Sequence, residues 1–160
     1  MMDRLYERSS RRCEPDTLDP AVRNALAEHG EAHQLGDVAT AARLCCVTRS
    51  VRLKRPGLLA RLTKSGDPDT EHTTIALLLP RYLVVAVTGA QRGIHVRSIR
   101  LEDVSLDPPL PASLDTGISA TGPWSGVPEH SSFHIALGDD PDGKTFLTEL
   151  RTAITQAKTA

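Results

Sequence analysis

Two apolar stretches joined by one tight connection constrain the fold of this chain most strongly. Residues 73–79 have the sequence TTIALLL, residues 82–88 have the sequence YLVVAVT, and Pro80 and Arg81 separate them. Because β-branched residues favour strands, two such runs joined by a short turn predict an antiparallel hairpin. Each run is far shorter than the ~20 apolar residues that a membrane-spanning helix needs. We therefore expect these residues at the centre of a sheet.

Weaker patterns on either side predict further strands. Apolar and polar residues alternate over positions 45–54, and Arg49 interrupts the apolar face, which indicates a bulge or a strand end. Positions 94–104 contain another apolar pattern, and its phase slips between Val96 and Ile99, as at a bulge or sharp bend. Shorter strands are predicted at residues 58–63, 118–124 and 131–137.

One helix is predicted on each side of the strand region. Asp19 fits an N-cap, a proline follows it at the first helical position, and Gly30 ends this short amphipathic helix. The second helix begins at Asp140 or Asp142 and runs to about Lys158, with apolar residues at spacings of three and four. The first helix, of about ten residues, is too short to be stable alone in water, so it is expected to dock on the rest of the fold.

This order of elements predicts an α+β fold. We expect a mostly antiparallel bent sheet or partly open barrel of about seven strands, with a C-terminal amphipathic helix and a short N-terminal helix. Residues 1–18 are charged and lack an apolar period, so we expect a flexible N-terminal segment. Residues 19–37 form the short helix and a linker, and residues 38–160 form the main domain.

Three segments of the chain have the order and pattern of a known family. They are the paired strands at 73–89, the IHVRSIRLEDVSL segment at 94–106, and SSFHIALGDD with the terminal helix at 131–158. In these features the chain resembles the pleckstrin-homology-like superfamily, in particular small bacterial domains of the pleckstrin-homology and GRAM type. The resemblance covers roughly residues 40–158 and implies a non-catalytic binding domain. Many eukaryotic members have a tryptophan in the terminal helix, whereas Trp124 here lies in or beside a loop.

The net charge of −1 conceals two oppositely charged regions. Between Asp37 and Asp67 there is no acid, and the bases are Arg43, Arg49, Arg52, Lys54, Arg55, Arg61 and Lys64. Residues 101–143 contain no lysine or arginine, and the acids are Glu102, Asp103, Asp107, Asp115, Glu129, Asp139, Asp140 and Asp142. Folding either brings the two regions together or keeps them as opposite poles.

The basic region supplies the candidate binding residues. If the turn at 53–61 is the first hairpin of a pleckstrin-like barrel, the bases around its mouth are Arg52, Lys54, Arg55, Arg61 and Lys64. Such side chains hold phosphate groups through charge-assisted hydrogen bonds. Near an anionic membrane each base contributes about 1 kcal/mol, so a lipid surface is one alternative ligand. A solvated hairpin face with no ligand is the other alternative.

The remaining polar residues predict no catalytic site, no metal site and no cofactor. His29 and His33 are four positions apart, but Gly30 between them should end the helix, so we expect ordinary surface histidines. In a strand, adjacent side chains point to opposite faces, so Cys45 is expected in the core and Cys46 as a partly exposed thiol. No base is evident beside either cysteine to activate it as a nucleophile.

Three classes of function stay open from the sequence. The leading expectation is a non-catalytic binding domain with a protein partner or a second copy of itself, and the alternative is peripheral binding to anionic lipid. A small α+β enzyme or ligand carrier is the third class. No aromatic residue lies between Arg43 and Lys64 for base stacking, which argues against nucleic acid. Three cysteines, two of them adjacent, and no apolar run near Met1 favour a soluble protein of the reducing cytoplasm.

Overall fold

The computed structural model describes residues 5–53, 69–111 and 114–160. The larger sheet is an antiparallel meander of five strands in chain order: β1 (Tyr6–Arg12), β2 (Leu44–Arg52), β3 (Glu71–Leu78), β4 (Tyr82–Gly89) and β5 (Gly93–Arg100). The smaller sheet has three antiparallel strands: β6 (Ser105–Leu106), β7 (Ile118–Gly122) and β8 (Ser131–Ile135). The helices are α1 (Pro20–Ala32), the single turn α2 (Val38–Ala41) and α3 (Pro141–Thr159). Short 3-10 turns occupy Pro15–Thr17 and Leu101–Asp103.

The predicted α+β class, the antiparallel pairing and the C-terminal helix are confirmed. The prediction was a bent sheet or partly open barrel of about seven strands, whereas the described ranges form two sheets of five and three strands and no closed barrel. The Pro80-Arg81 hairpin is confirmed as the β3–β4 connection, with Leu78 paired to Leu83. The predicted strand at 58–63 lies outside the described residues.

The larger sheet is covered on both faces. On one face α1 and α2 contribute Val22, Leu26 and Val38 to a core with Cys45, Val47, Ile75, Leu77, Val84 and Ala86. The other face packs against the smaller sheet and α3, in a core that includes Cys46, Leu83, Ile99, Ile118, Ile135, Phe146 and Leu150. Because successive side chains of β3 and β4 enter different cores, both strands are continuously apolar in sequence.

Coverage of both faces corrects three local expectations. Cys46 is buried, because its side chain faces the core formed with the smaller sheet. β2 continues through Arg49, whose exposed side chain forms an ion pair with Glu71 of β3. β5 is paired to β4 without a bulge. Its apolar phase changes because Ile94 and Val96 pack toward α1, whereas Ile99 packs toward the smaller sheet.

The first helix begins as predicted and ends later than predicted. The side chain of Asp19 accepts a hydrogen bond from the backbone N–H of Ala21, so it caps α1. Gly30 lies inside the helix, and a Cβ there would meet the Gly36 carbonyl oxygen at 2.6 Å and Val38 at 2.9 Å. This glycine therefore permits the close approach of the chain that follows α1, and the helix continues past it to Ala32.

The structure adds a strand where the sequence predicted only a flexible segment. β1 consists of charged and polar residues after Tyr6 and has no apolar period, yet it pairs with β2 along its whole length. Arg8 accounts for much of its docking: the guanidinium donates to Ser50 Oγ, to the carboxylate of Asp115 and to the carbonyl of Thr116. Polar contacts to residues distant in sequence thus order this strand.

One carboxylate connects β1 to the C-terminal helix. Asp140, one of the two predicted candidates, is the N-cap of α3, and its Oδ1 accepts from the backbone N–H of Gly143. Its other oxygen accepts from the backbone N–H of Ser10 at 2.8 Å, and Asp142 accepts from the N–H of Arg12 at 2.9 Å. These backbone groups point away from β2, so the outer edge of β1 is closed by α3.

We expect the Arg8–Asp115 pair to matter more for stability than an exposed pair. The Arg8 side chain is 5% exposed, so Asp115→Asn leaves a buried guanidinium without its counter-charge and should lower the free energy of unfolding by about 2–3 kcal/mol. Glu71→Gln removes the partner of Arg49 in an exposed pair, where solvent screens both charges, so it should lower the free energy of unfolding much less. Urea unfolding of the two variants checks this order, and equal costs would contradict it.

Candidate functional site

Only one of the five predicted binding residues lies in the described part of the chain. Arg52 is at the end of β2, is half-buried and is paired in register with Tyr6. Its backbone N–H donates to the carbonyl of Thr70. The other four, Lys54, Arg55, Arg61 and Lys64, lie outside the described residues.

Where the structure describes them, acids of the 101–143 region contact the N-terminal strand. Three acids of the 101–143 region, Asp115, Asp140 and Asp142, bind β1. The basic strand β2 finds its acid elsewhere, since Arg49 pairs with Glu71. Several acids of this region therefore bind the N-terminal strand, for which the sequence predicted no role.

An open groove lies between the two sheets. It has a volume of about 210 Å³ and is lined by Val85, Val87, Arg92, His95, Arg97, Trp124, Phe133, His134 and Ile135. The guanidinium of Arg97 lies 4.1 Å from the centre of the Phe133 ring, which is stacking distance for a cation–π contact. Trp124 meets the same ring edge-on at 5.6 Å. We call this feature the inter-sheet groove. It combines aromatic surface with basic side chains.

The tryptophan fixes one wall of the inter-sheet groove. Trp124 follows β7 in a turn, as the sequence suggested, but it is buried and its Nε1 donates to the carbonyl of Ala120. The neighbouring Ser125 bonds to β5 twice: its N–H donates to the carbonyl of Ser98, and its Oγ accepts from the N–H of Ser98. The turn that carries the tryptophan is thereby attached to the edge of the larger sheet.

The outer edge of β5 borders the inter-sheet groove. Ser98 directs its backbone N–H and C=O away from β4, toward Ser125. Because these groups alternate along an antiparallel strand, Ile94 and Val96 also direct theirs outward. In the described ranges no strand pairs with this side of β5. The edge thus offers two residues of main-chain donors and acceptors beside the groove.

The β4–β5 turn at one end of this edge is held by a buried carboxylate. Asp69 is 3% exposed at its side chain and accepts from the backbone N–H groups of Gln91 and Arg92. It also accepts from the Arg92 guanidinium at 3.0 Å. The residues just before β3 are therefore fixed against the turn that leads into β5.

The basic and aromatic residues of the groove were not predicted from sequence. The available signal was the phase slip in residues 94–104, which arises because His95 and Arg97 face the groove while Ile94 and Val96 pack toward α1. A strand with an apolar side and a basic side produces this pattern without a bulge. The contribution of Phe133 has no local signal, because it depends on how the smaller sheet crosses the larger one.

The cysteines do not form an activated nucleophile in the part of the chain that is described. All three are free thiols, and Cys13 Sγ lies 3.6 Å from Cys45 Sγ. Burial raises the pKa of Cys45, with Cys13 adding to the shift, and burial also raises the pKa of Cys46. Both thiols are therefore protonated and poor nucleophiles near neutral pH.

The described residues contain neither a cluster of metal-ligating side chains nor a helix that could cross a membrane. No three side chains of the metal-binding types lie together there. Among the helices with assigned positions, none has the length and apolar character to cross a membrane.

Comparison with protein-family models, with curated proteins and with solved structures gave no match to this chain.

The contact that holds α1 against β5 predicts a pH dependence of stability. His29 Nε2 lies 2.8 Å from Ser98 Oγ, and burial, followed by the nearby charge of His33, lowers the pKa of His29 to about 4. The unfolded chain takes up this proton near the ordinary pKa of about 6.5. The contribution of His29 to the free energy of unfolding is therefore full above that pH and falls as the pH is lowered toward 4. Urea titrations between pH 7 and about pH 4 should show that the free energy of unfolding falls less for His29→Gln than for wild type. An equal fall of the free energy of unfolding in both proteins would contradict the prediction.

Proposed function

We propose that this chain is a non-catalytic binding domain of the pleckstrin-homology-like class whose ligand is an extended segment of another protein. The observation that carries the proposal is the outer edge of β5, where Ile94 and Val96 direct main-chain groups outward beside an aromatic and basic groove. An extended peptide that adds to such an edge gains main-chain hydrogen bonds, and the groove beside it selects among side chains.

The order of elements supports the class. After β1 the chain forms four meandering strands, then a three-stranded sheet, then a C-terminal helix. This is the order that the resemblance implies for residues 40–158. Residues of both sheets and of α3, including Leu83, Ile118 and Leu150, form one core, as in a partly open barrel plugged by its helix. β1 is an addition at the edge of this arrangement.

The lining of the inter-sheet groove specifies the chemistry of the peptide. Every second side chain of an added strand would lie on the same face of the sheet as His95 and Arg97. No acidic side chain is among the described residues that line the groove, and Arg92 is already paired with Asp69. The guanidinium of Arg97, which lies over the Phe133 ring and has no ion pair among the described residues, favours a carboxylate of the ligand. The exposed parts of Phe133 and Val87 favour apolar side chains. The expected ligand therefore alternates acidic or apolar residues with residues of no fixed type.

Charge favours a different protein over a second copy of this chain. Pairing two β5 edges would bring Arg92, His95 and Arg97 of both copies onto one ribbon. Like charges on neighbouring strands are destabilising. An acidic segment of a partner protein has no such penalty.

A peptide selection with an edge-directed variant tests this proposal. Displayed random peptides selected against the wild-type domain should converge on alternating acidic and apolar residues, and binding of a synthetic peptide should change the fluorescence of Trp124, the only tryptophan. Val96→Pro removes an outward N–H and keeps the hydrogen bonds between β4 and β5, so it should weaken peptide binding about tenfold or more. Val96→Ala is the matched control, since it also loses packing but keeps the N–H, and it should bind within about threefold of wild type.

Several results would contradict strand addition at β5. Selection could yield no binding peptide, or the selected peptides could bind Val96→Pro as well as wild type. Circular dichroism of both variants should first show that they are folded. Light scattering that shows a wild-type dimer which Val96→Pro dissolves would identify a second copy as the occupant and overturn the assignment to another protein.

Anionic lipid is the second candidate ligand, and the position of Asp69 favours it. This carboxylate fixes the chain just before β3 against the β4–β5 turn. Leu53 and Asp69, the described residues on either side of the basic segment, therefore lie at the same end of the larger sheet as the inter-sheet groove. We expect co-sedimentation with vesicles containing phosphatidylserine, weakening as salt rises. Charge reversal at Lys54 and Arg55 should abolish it. A wild-type protein that stays in the supernatant at low salt would rule this candidate out.

A further inference from the structure

A second concave surface lies at the opposite end of the larger sheet from the β4–β5 turn. It has a volume of about 570 Å³, within the usual range of small-molecule sites. Its lining comes from the start of β2, the β3–β4 turn, the end of β5, the end of α1 and the last turns of α3: Arg43, Pro80, Arg81, Tyr82, Arg100, Glu102, Gln34, Ala153, Gln156, Ala157 and Ala160. We call it the arginine groove.

Antiparallel register brings the three arginines of this groove to one end of the sheet. Arg43 precedes Leu44, which pairs with Leu78, and its backbone N–H donates to the Leu78 carbonyl. Arg81 forms the turn that follows, and its carbonyl accepts from the N–H of Leu101 at the end of β5. Three arginines that are far apart in the sequence are thereby placed around one opening.

The positive charge of the arginine groove is largely uncompensated. Within the described ranges neither Arg43 nor Arg81 forms an ion pair, and both are exposed. Arg100 has a weak partner, since Glu102 lies 3.4 Å away and both side chains are more than half exposed. The guanidinium of Arg100 also lies 5.9 Å from the Tyr82 ring. Among the side chains that line the groove, three therefore carry a guanidinium group and one carries a carboxylate.

Backbone strain supports a role for this groove beyond solvation. Gln34 lies in the left-handed region with φ of 60°, and among the described residues it is the only non-glycine residue with a positive φ. This position follows the end of α1, where glycine is the usual choice. Glutamine has no conformational advantage there, but its side chain supplies an amide to the lining of the groove.

We propose that the arginine groove binds the diphosphate group of a small organic molecule. Three guanidinium groups from three separate elements supply convergent forks for phosphate oxygens. A diphosphate places about three negative charges in a compact group, which matches the three arginines better than a single carboxylate does. The volume left over, beside Tyr82 and the alanines of α3, accommodates an organic part. This site is separate from the β5 edge, so it adds a function to the one proposed above.

Calorimetry with inorganic pyrophosphate at low ionic strength tests the proposal. We expect a Kd of about 1 mM or tighter, with orthophosphate at least about tenfold weaker. Replacing Arg43 and Arg81 together by glutamine should weaken pyrophosphate binding about tenfold or more. The matched control is Arg23→Gln with Arg151→Gln, two exposed arginines outside the groove, which should leave binding unchanged. Gln34→Gly should keep the fold and weaken binding several-fold.

Three outcomes would overturn the assignment. Pyrophosphate could fail to bind, or it could bind equally to the Arg43/Arg81 variant and to wild type. Recruitment of the protein to vesicles with phosphatidylinositol bisphosphate, if it depended on Arg43 and Arg81, would show that the ligand is a lipid headgroup and not a free small molecule. The proposed strand addition at β5 is unaffected by any of these results, since Val96 lies outside this groove.

Discussion

The docking of β1 through Arg8 is the interaction on which the arrangement of the two sheets depends. The guanidinium is almost fully enclosed, and burial lowers the pKa of Arg8 while Asp115 opposes that shift. It bonds to Ser50 on the larger sheet and to Asp115 and Thr116 just before β7. A charge that is costly to bury is stabilised here by Asp115 and Thr116, and these two contacts exist only when the segment before β7 lies against β1. The pair therefore specifies how the smaller sheet is set against the larger one.

The same docking makes the two edges of the larger sheet unlike. At one edge, α3 supplies carboxylates to the outward N–H groups of Ser10 and Arg12. At the other edge, the turn that carries Trp124 covers Ser98, and no described strand pairs with Ile94 or Val96 on that side. An exposed sheet edge is a liability unless it is protected or used. The bases beside the β5 edge discourage self-pairing, and together with the adjacent groove they make it the surface best suited to an acidic peptide.

The sequence predicted the elements whose signals are local and missed those that depend on distant contacts. The β3–β4 hairpin, the Asp19 cap and the Asp140 cap follow from apolar runs and from capping chemistry within a few residues. β1 was missed because its side chains are polar and its partners are up to 130 positions away in the chain. The bulge predicted in β5 was wrong because period-two analysis assumes one covered face, whereas this strand packs its apolar residues first toward α1 and then toward the smaller sheet. Of the predicted binding residues, Arg52 alone lies where its position is described.

Amide hydrogen exchange by NMR tests the contrast between the two edges most directly. The outward N–H groups of Ser10 and Arg12 should exchange slowly, because side chains of α3 accept from them in the folded protein. The outward N–H groups of Ile94 and Val96 should exchange much faster than those of their neighbours His95 and Arg97, which face β4. Slow exchange at Ile94 and Val96 in the free protein would show that the β5 edge is already occupied, and fast exchange at Ser10 and Arg12 would show that β1 is not docked.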